Sequence, residues 1–200
     1  LYSANLGRAD LPEPARVRFA EKTMVQLQRL ERLIQEVLLF ARGESIGRDV
    51  IPVGQLLGDA AQTVQPLFLE KNVAFRVDCH VGEMAVTGSR KALAGALVNL
   101  LENALQACVA GGQVMLDASI GDAQLCISVR DTGAGIAPEV RPRVFEPFFT
   151  TRGQGTGLGL AIALGVARAH GGTISVNSIA GEGSEFIVRL PSDAAAGQSD

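Results

Sequence analysis

Eleven of the chain's 23 glycines fall between Asp131 and Gly183, and no other feature narrows the possible folds so far. Glycine loses more conformational freedom on folding than any other residue and weakens the interior of helices and strands. A stretch this rich in glycine reads as turns and loops whose backbone must run close to something. The longest such run, residues 131–157, is 27 residues of glycine and proline punctuation with little periodicity. A loop of that length inside a compact domain is uncommon, and where one occurs it is usually a functional lid.

Around this run the chain alternates between helical and strand patterns. Residues 55–69 have helical spacing, and Pro66 is expected to kink or shorten that helix. Residues 73–77 and 84–87 alternate as strands. Ser89 is a good N-cap for an apolar helix over 90–109, which Gly111 and Gly112 end. Residues 114–119 and 124–129 read as a hairpin about Gly121 and Asp122. A helix over 158–170 and strands over 173–176 and 185–190 complete the pattern. The expected fold is α/β, a two-layer sandwich in which a mixed sheet carries three helices on one face.

The first quarter of the chain has a different texture. Residues 12–42 predict one long helix, with Pro12 and Pro14 suited to its first turn and Gly43 to its end. Met24, Leu27, Leu30, Ile34, Val37, Leu38 and Ala41 form an apolar face stepping by three or four. So wide a stripe has to be buried, which implies a helical bundle or coiled coil. Residues 1–6 then read as the tail of a preceding antiparallel helix and 7–11 as the hairpin, with dimerisation completing the bundle. The plainer alternative packs this helix on the chain's own globular domain. The expected division is a helical-hairpin remnant over 1–47, a catalytic domain over 48–191 and a disordered tail over 192–200. Leu1 in place of a methionine suggests a piece of something longer.

Composition removes several classes. A formal net charge of −3 with 4% aromatic residues argues against nucleic-acid binding. No run approaches roughly eighteen uninterrupted apolar residues, so no membrane segment is expected. Cys79, Cys108 and Cys126 are widely spaced without a CxxC, which with only two histidines implies reduced thiols in a cytoplasmic setting and no structural zinc.

Four segments carry chemistry. Asn99 and Asn103 lie four apart on the apolar helix, so both amides share a face and offer oxygen to a hard cation or NH2 to phosphate. Two asparagines so spaced are also ordinary solvated or capping residues. Asp131-Thr132-Gly133-Ala134-Gly135-Ile136 follows an apolar strand, and its acceptor-only carboxylate suits an exocyclic amine such as adenine's. The same residues could form a tight turn, and Asp-Thr-Gly-Ala also matches the tetrapeptide of aspartic proteases. Phe145-Glu146-Pro147-Phe148-Phe149-Thr150-Thr151-Arg152 puts three of eight phenylalanines in one loop, as a latch over a ligand or as a satellite apolar cluster. Gly153-Gln154-Gly155-Thr156-Gly157-Leu158-Gly159-Leu160 runs into a helix, where backbone N–H groups and the helix dipole favour phosphate. It fits neither the Walker nor the Rossmann pattern.

In that order and spacing the four segments resemble the N, G1, F and G2 boxes of the catalytic half of bacterial sensor histidine kinases. Gly181-x-Gly183-Ser184-x-Phe186 is similar to that family's last glycine motif. The resemblance covers residues 12–190. The wording Asn103-Ala104-Leu105-Gln106-Ala107 and Phe148-Phe149-Thr150-Thr151 looks most like the nitrogen-regulatory and flagellar-regulatory kinases. It implies a helical hairpin that dimerises into a four-helix bundle, followed by a Bergerat-type ATP-binding domain, with ATP and Mg2+ as cofactors. It also implies a histidine on the bundle as phosphoacceptor and a response regulator as the next partner.

Residue by residue, the resemblance assigns Asp131 to the adenine amine, Gly133 and Gly135 to making room for the base, and Ile136 and Ser184 to the same pocket. Asn103 would ligate Mg2+, with Asn99 assisting. Gly155, Thr156, Gly157, Leu158, Gly159 and Leu160 would serve the triphosphate, together with Thr151 and Arg152. Residues 136–156 would be the mobile lid. Related gyrase- and Hsp90-like ATPases carry a water-activating glutamate at the position of Asn99; an amide cannot act as base, so transfer is favoured over hydrolysis. Glu102 is expected to be a solvated charge on another side of the helix.

The departures are specific. Arg152 replaces a common lysine, Gln106 a basic residue of other subfamilies, and Ser89 an aspartate. No His-[Glu/Gln]-x-x-Thr-Pro motif is present, His170 reads as a structural helix end and His80 as a surface residue without an acid partner. Three rival readings stay open: a hydrolytic ATPase of the same superfamily, an aspartic protease using Asp131, and a dimerisation module with a vestigial pocket.

Overall fold

The computed structural model describes residues 49–122, 124–152 and 155–191, together with position 17. The chain divides into two units, Leu1–Glu44 and Ser45–Asp200, and the elements below belong to the second. The expected long helix, its hairpin and the C-terminal tail lie outside the described residues.

In chain order the elements are β1 (Asp49–Pro52), α1 (Val53–Glu70), β2 (Ala74–Cys79), β3 (Ala85–Gly88), α2 (Arg90–Ala107), β4 (Gln113–Gly121), β5 (Gln124–Asp131), α3 (Gly159–Ala169), β6 (Thr173–Ile179) and β7 (Gly183–Leu190). A short 3-10 turn, Arg141–Arg143, interrupts the long loop between β5 and α3. Five strands form a mixed sheet in the order β2-β4-β5-β7-β6, with β2 parallel to β4 and every other pair antiparallel. The remaining two strands make a separate antiparallel ribbon, β1 with β3. β1 escaped the sequence reading because four residues ending in proline, with only Ile51 buried, carry too little alternation to register.

One face of the sheet is apolar because its strands alternate. Val114, Leu116 and Ala118 of β4, Leu125, Ile127 and Val129 of β5, and Phe186, Val188 and Leu190 of β7 are all buried. The opposite face carries Asp117, Ser128, Arg130, Glu185 and Arg189 at the intervening positions, so one layer of helices suffices. α1 covers that apolar face with Leu56, Leu57, Ala60, Val64 and Phe68, and α2 with Leu93, Leu97, Leu100, Leu101 and Ala104. Each such leucine contributes about 1.5–3 kcal/mol of burial. The only residues α3 buries are Ala163 and Ala167, small enough for close approach.

Pro66 does not shorten α1, which runs through it to Glu70. Pro66 and Gln62, whose carbonyl loses its N–H partner, are both exposed, so the freed acceptor is not sealed in the core. Ser89 caps α2 as expected, its Oγ accepting from the Ala92 N–H at 3.3 Å. The C-terminus of α2 receives the Lys71 ammonium, which donates to the Leu105 carbonyl at 2.9 Å.

Both histidines have structural settings. The Ser89 N–H donates to His170 Nε2 at 3.0 Å, so Nδ1 carries the proton and donates to the Val166 carbonyl at 2.8 Å. That ring ties the end of α3 to the start of α2. His80 does have an acid partner, contrary to the sequence reading: its Nε2 lies 3.4 Å from Asp117 Oδ1. The parallel pairing of β2 with β4 brings residues 39 apart in sequence side by side (Asp78 opposite Asp117), which no local pattern reports. The three cysteines are free thiols. Among the described residues, no helix is long and apolar enough to cross a membrane.

Candidate functional site

Asp131 continues the buried row Leu125, Ile127, Val129, two residues at a step, and so turns its carboxylate toward the helices. Its cross-strand neighbour on β7 is Ser184, and the neighbour of Ser184 on β6 is Ser178. Among the described residues these three are the buried polar ones, at 3%, 6% and 8% exposure. The apolar face therefore ends in a single polar row across three strands. Buried polar atoms are normally satisfied, and those that are not call for an explanation.

Most of the row is satisfied. Asp131 Oδ1 accepts from the Gly133 N–H at 2.8 Å. Ser178 Oγ accepts from the Ile136 N–H at 2.8 Å and lies 2.8 Å from the Gly183 carbonyl and 3.0 Å from Ser184 Oγ. Asp131 Oδ2 is buried without a partner. Burial pushes the Asp131 carboxyl above its ordinary value, against the pull of the Gly133 and Ser184 N–H groups and of the Arg152 charge. The same carboxylate, after burial itself, helps raise the Cys108 thiol.

The loop after Asp131 is pinned by its own backbone. Ala134 N–H donates to the Ala107 carbonyl at 3.2 Å, and Gly181 N–H to the Ala134 carbonyl at 2.8 Å. A Cβ on Gly133 would lie 2.6 Å from the Ala107 carbonyl, and one on Gly135, at φ +66°, would strike the Ile179 carbonyl. The neighbouring backbone thus leaves no room for a side chain at either glycine.

α2 lines the next wall. Asn99 and Asn103 are half-buried on it, one turn apart. Arg152 reaches this face from the loop. Its Nη1 donates to Asn103 Oδ1 at 3.1 Å and to Gln106 Oε1 at 2.8 Å. Burial lowers the basicity of the guanidinium, opposed by the charge of Asp131. Glu102, expected to be solvated, is half-buried.

The phenylalanine segment and the second glycine segment are stitched together. Phe148 N–H donates to the Gly157 carbonyl at 2.9 Å, and a Cβ on Gly157, at φ +68°, would strike the Phe148 backbone. Phe145 packs edge-on against Phe186 of the core at 6.3 Å, and Phe149 lies under the Arg143 guanidinium at 4.2 Å. Phe148 is 73% exposed at φ +66°, a left-handed conformation that is costly for an aromatic residue. Thr150 Oγ1 accepts from the Arg152 N–H at 3.1 Å, while Thr151 is exposed. Thr156 Oγ1 accepts from the Leu158 N–H at 3.3 Å. α3 then starts with no side-chain cap, which leaves its first amides for an anion. A Cβ on Gly159 would sit 3.8 Å from Asn99, so this helix start faces the asparagine wall.

The fold thus joins Asn103 with Arg152, Asn99 with Gly159, Asp131 with Gly133 and Ser184, and Ile136 with Ser178. The sequence reading missed Ser178, whose signal was a serine on the core-facing row of a strand, and treated Gln106 only as a lost charge. An acceptor-only orphan oxygen, an uncapped helix start and a half-buried cation fit the amine, the phosphates and their charge. An aspartic protease does not fit: Asp131 is buried, and among the described residues no second carboxylate acts on it.

Residues 88–194 match the family described as histidine kinase-, DNA gyrase B-, and HSP90-like ATPase. The chain belongs to that family. It is 30% identical over 185 residues to the signal transduction histidine-protein kinase AtoS of Escherichia coli K12, covering 92% of this chain and 30% of AtoS. The catalytic domain of histidine kinase ThkA in a nucleotide-free form superposes with a TM-score of 0.66 at 27% identity, covering 72% of this chain and 95% of that one. Full-length ShkA in complex with AMPPNP gives a TM-score of 0.77 at 31% identity, covering 96% of this chain and 42% of ShkA. The chain spans less than a third of AtoS and less than half of ShkA.

Proposed function

We propose that this chain is the nucleotide-binding portion, with part of the dimerisation bundle, of a cytoplasmic bacterial sensor histidine kinase region. Mg-ATP supplies the γ-phosphoryl group, which passes to a histidine of the bundle other than His80 or His170 and then to an aspartate of a response regulator. The chain acts as a homodimer through its helical unit.

The carrying observation is the buried, unpartnered Oδ2 of Asp131, an acceptor suited to the adenine amine. Ser184 and Ile136 flank it. Asn103 would hold the divalent ion, assisted by Asn99, and the ion would neutralise phosphate charge. The amides of Gly155, Gly157, Leu158, Gly159 and Leu160, with Thr156 beside them, meet the phosphates, and Arg152 with Thr151 adds charge and a hydroxyl. Phosphoryl transfer needs mainly positioning and charge neutralisation, which these groups supply. Asn99 is no base, so water is left unactivated and transfer is preferred to hydrolysis.

Calorimetry tests the site. Mg-ADP should bind the unsubstituted chain, and Asp131→Asn should abolish the heat; unchanged binding in that variant would overturn the assignment. Mixed with a bundle fragment carrying the acceptor histidine, the chain should label it from ATP while leaving itself unlabelled. Steady hydrolysis lost in Glu102→Ala would favour the hydrolytic reading instead.

A further inference from the structure

Arg152 is a half-buried cation whose side-chain hydrogen bonds among the described residues go to neutral acceptors, Asn103 Oδ1, Gln106 Oε1 and, at 3.5 Å, the Asn103 carbonyl. None of the ion pairs among the described residues includes it. Asn103 and Gln106 are three apart on α2, so their amides stand side by side and a single guanidinium nitrogen bridges them. Under the nucleotide reading above, Asn103 Oδ1 is also the oxygen that takes the divalent ion.

We propose that Gln106 is a positioning residue that parks Arg152 on Asn103, so that the divalent cation and the guanidinium are alternative occupants of one amide oxygen. Oδ1 has two lone pairs, yet a cation at about 2.1 Å and a guanidinium nitrogen at about 3 Å on the same oxygen hold three positive charges within about 4–5 Å of one another. In a half-buried site that repulsion is poorly screened. Entry of the cation therefore expels Arg152 from Asn103, and the Gln106 bond is what opposes the exchange. Once released, the guanidinium is free to meet the phosphates while still under the charge of Asp131.

The test uses the full chain saturated with ADP and titrated with Mn2+, free Mn2+ being read by electron paramagnetic resonance. Gln106→Leu removes the second anchor at an exposed position and should lower the Mn2+ half-saturation concentration about three- to tenfold. Arg152→Leu, which removes the donor altogether, should shift it in the same direction, and the double variant should add nothing to the larger single effect, because both remove one interaction. An unchanged or raised half-saturation in Gln106→Leu, or independent addition of the two shifts, would overturn the proposal. If ADP shows no calorimetric binding to the unsubstituted chain, the nucleotide reading fails and takes this inference with it.

Discussion

The two glycine segments of this protein do different physical work. In 131–136, Gly133 and Gly135 are required by backbone against backbone: the end of α2 at Ala107 and the end of β6 at Ile179 occupy the space of a side chain. Gly183 belongs with them, since a Cβ there would strike the Asp131 carbonyl. In 155–159 Gly157 and Gly155 have loop neighbours, Phe148 and Phe149 for the first and the Thr150 hydroxyl for the second, while Gly159 is in ordinary contact with Asn99 of α2. The first segment is a wall of the core, and the second is a loop fastened to another loop. Similar glycine spacing in sequence therefore marks either a wall of the core or a contact between loops, depending on what lies behind it.

Substitution in the wall should cost most. Gly135→Ala combines a left-handed φ of +66° with a collision against a strand-end carbonyl, and a loss of about 3 kcal/mol or more is expected in urea denaturation. A loss below about 1 kcal/mol would break the contrast. Next comes Asp131→Asn, which should separate function from stability. A carboxyl raised by burial binds its proton more tightly folded than unfolded, so its charge subtracts stability as pH rises through that raised value. Removing the charge should therefore stabilise the nucleotide-free chain at neutral pH by about 1 kcal/mol while ending ADP binding. By the same sign, nucleotide affinity should start to fall with acidification above the ordinary carboxylate range, which calorimetry across pH would show.

The loop predicts smaller effects. Phe148→Gly relieves a left-handed aromatic residue that buries little, and should raise the denaturation midpoint by the equivalent of about 1 kcal/mol. Gly159→Ala meets nothing closer than 3.8 Å and gains helix propensity, so stability should change by less than about 1 kcal/mol, upward if at all. Destabilisation by either variant would place the second segment with the first.

How much of this could be read beforehand varies by element. α2 announced itself because Ser89 caps it, its apolar spacing is regular and two glycines follow. β5 was clear because Leu125, Ile127 and Val129 alternate, and the same alternation carried Asp131 onto the buried face. β1 was hidden by its brevity, and the His80–Asp117 contact by its dependence on a parallel pairing. Ser178 was missed because a serine in a strand has no local signature; it matters only through its register with Ser184. Gln106 looked like the loss of a charge until Arg152 was found donating to it across 46 residues.

The amino-acid sequence determined the periodicities, the caps, the one-sided sheet and the order of four chemical segments, all consequences of interactions within a few residues of one another. The tertiary structure decided which of those segments meet. It put an orphan carboxylate oxygen at the end of an apolar face, filled the space left by Gly133 and Gly135 with backbone, and set Arg152 on the oxygen of Asn103. Such encounters depend on strand order and helix packing, whose energies are sums over distant residues, and no window of sequence contains them.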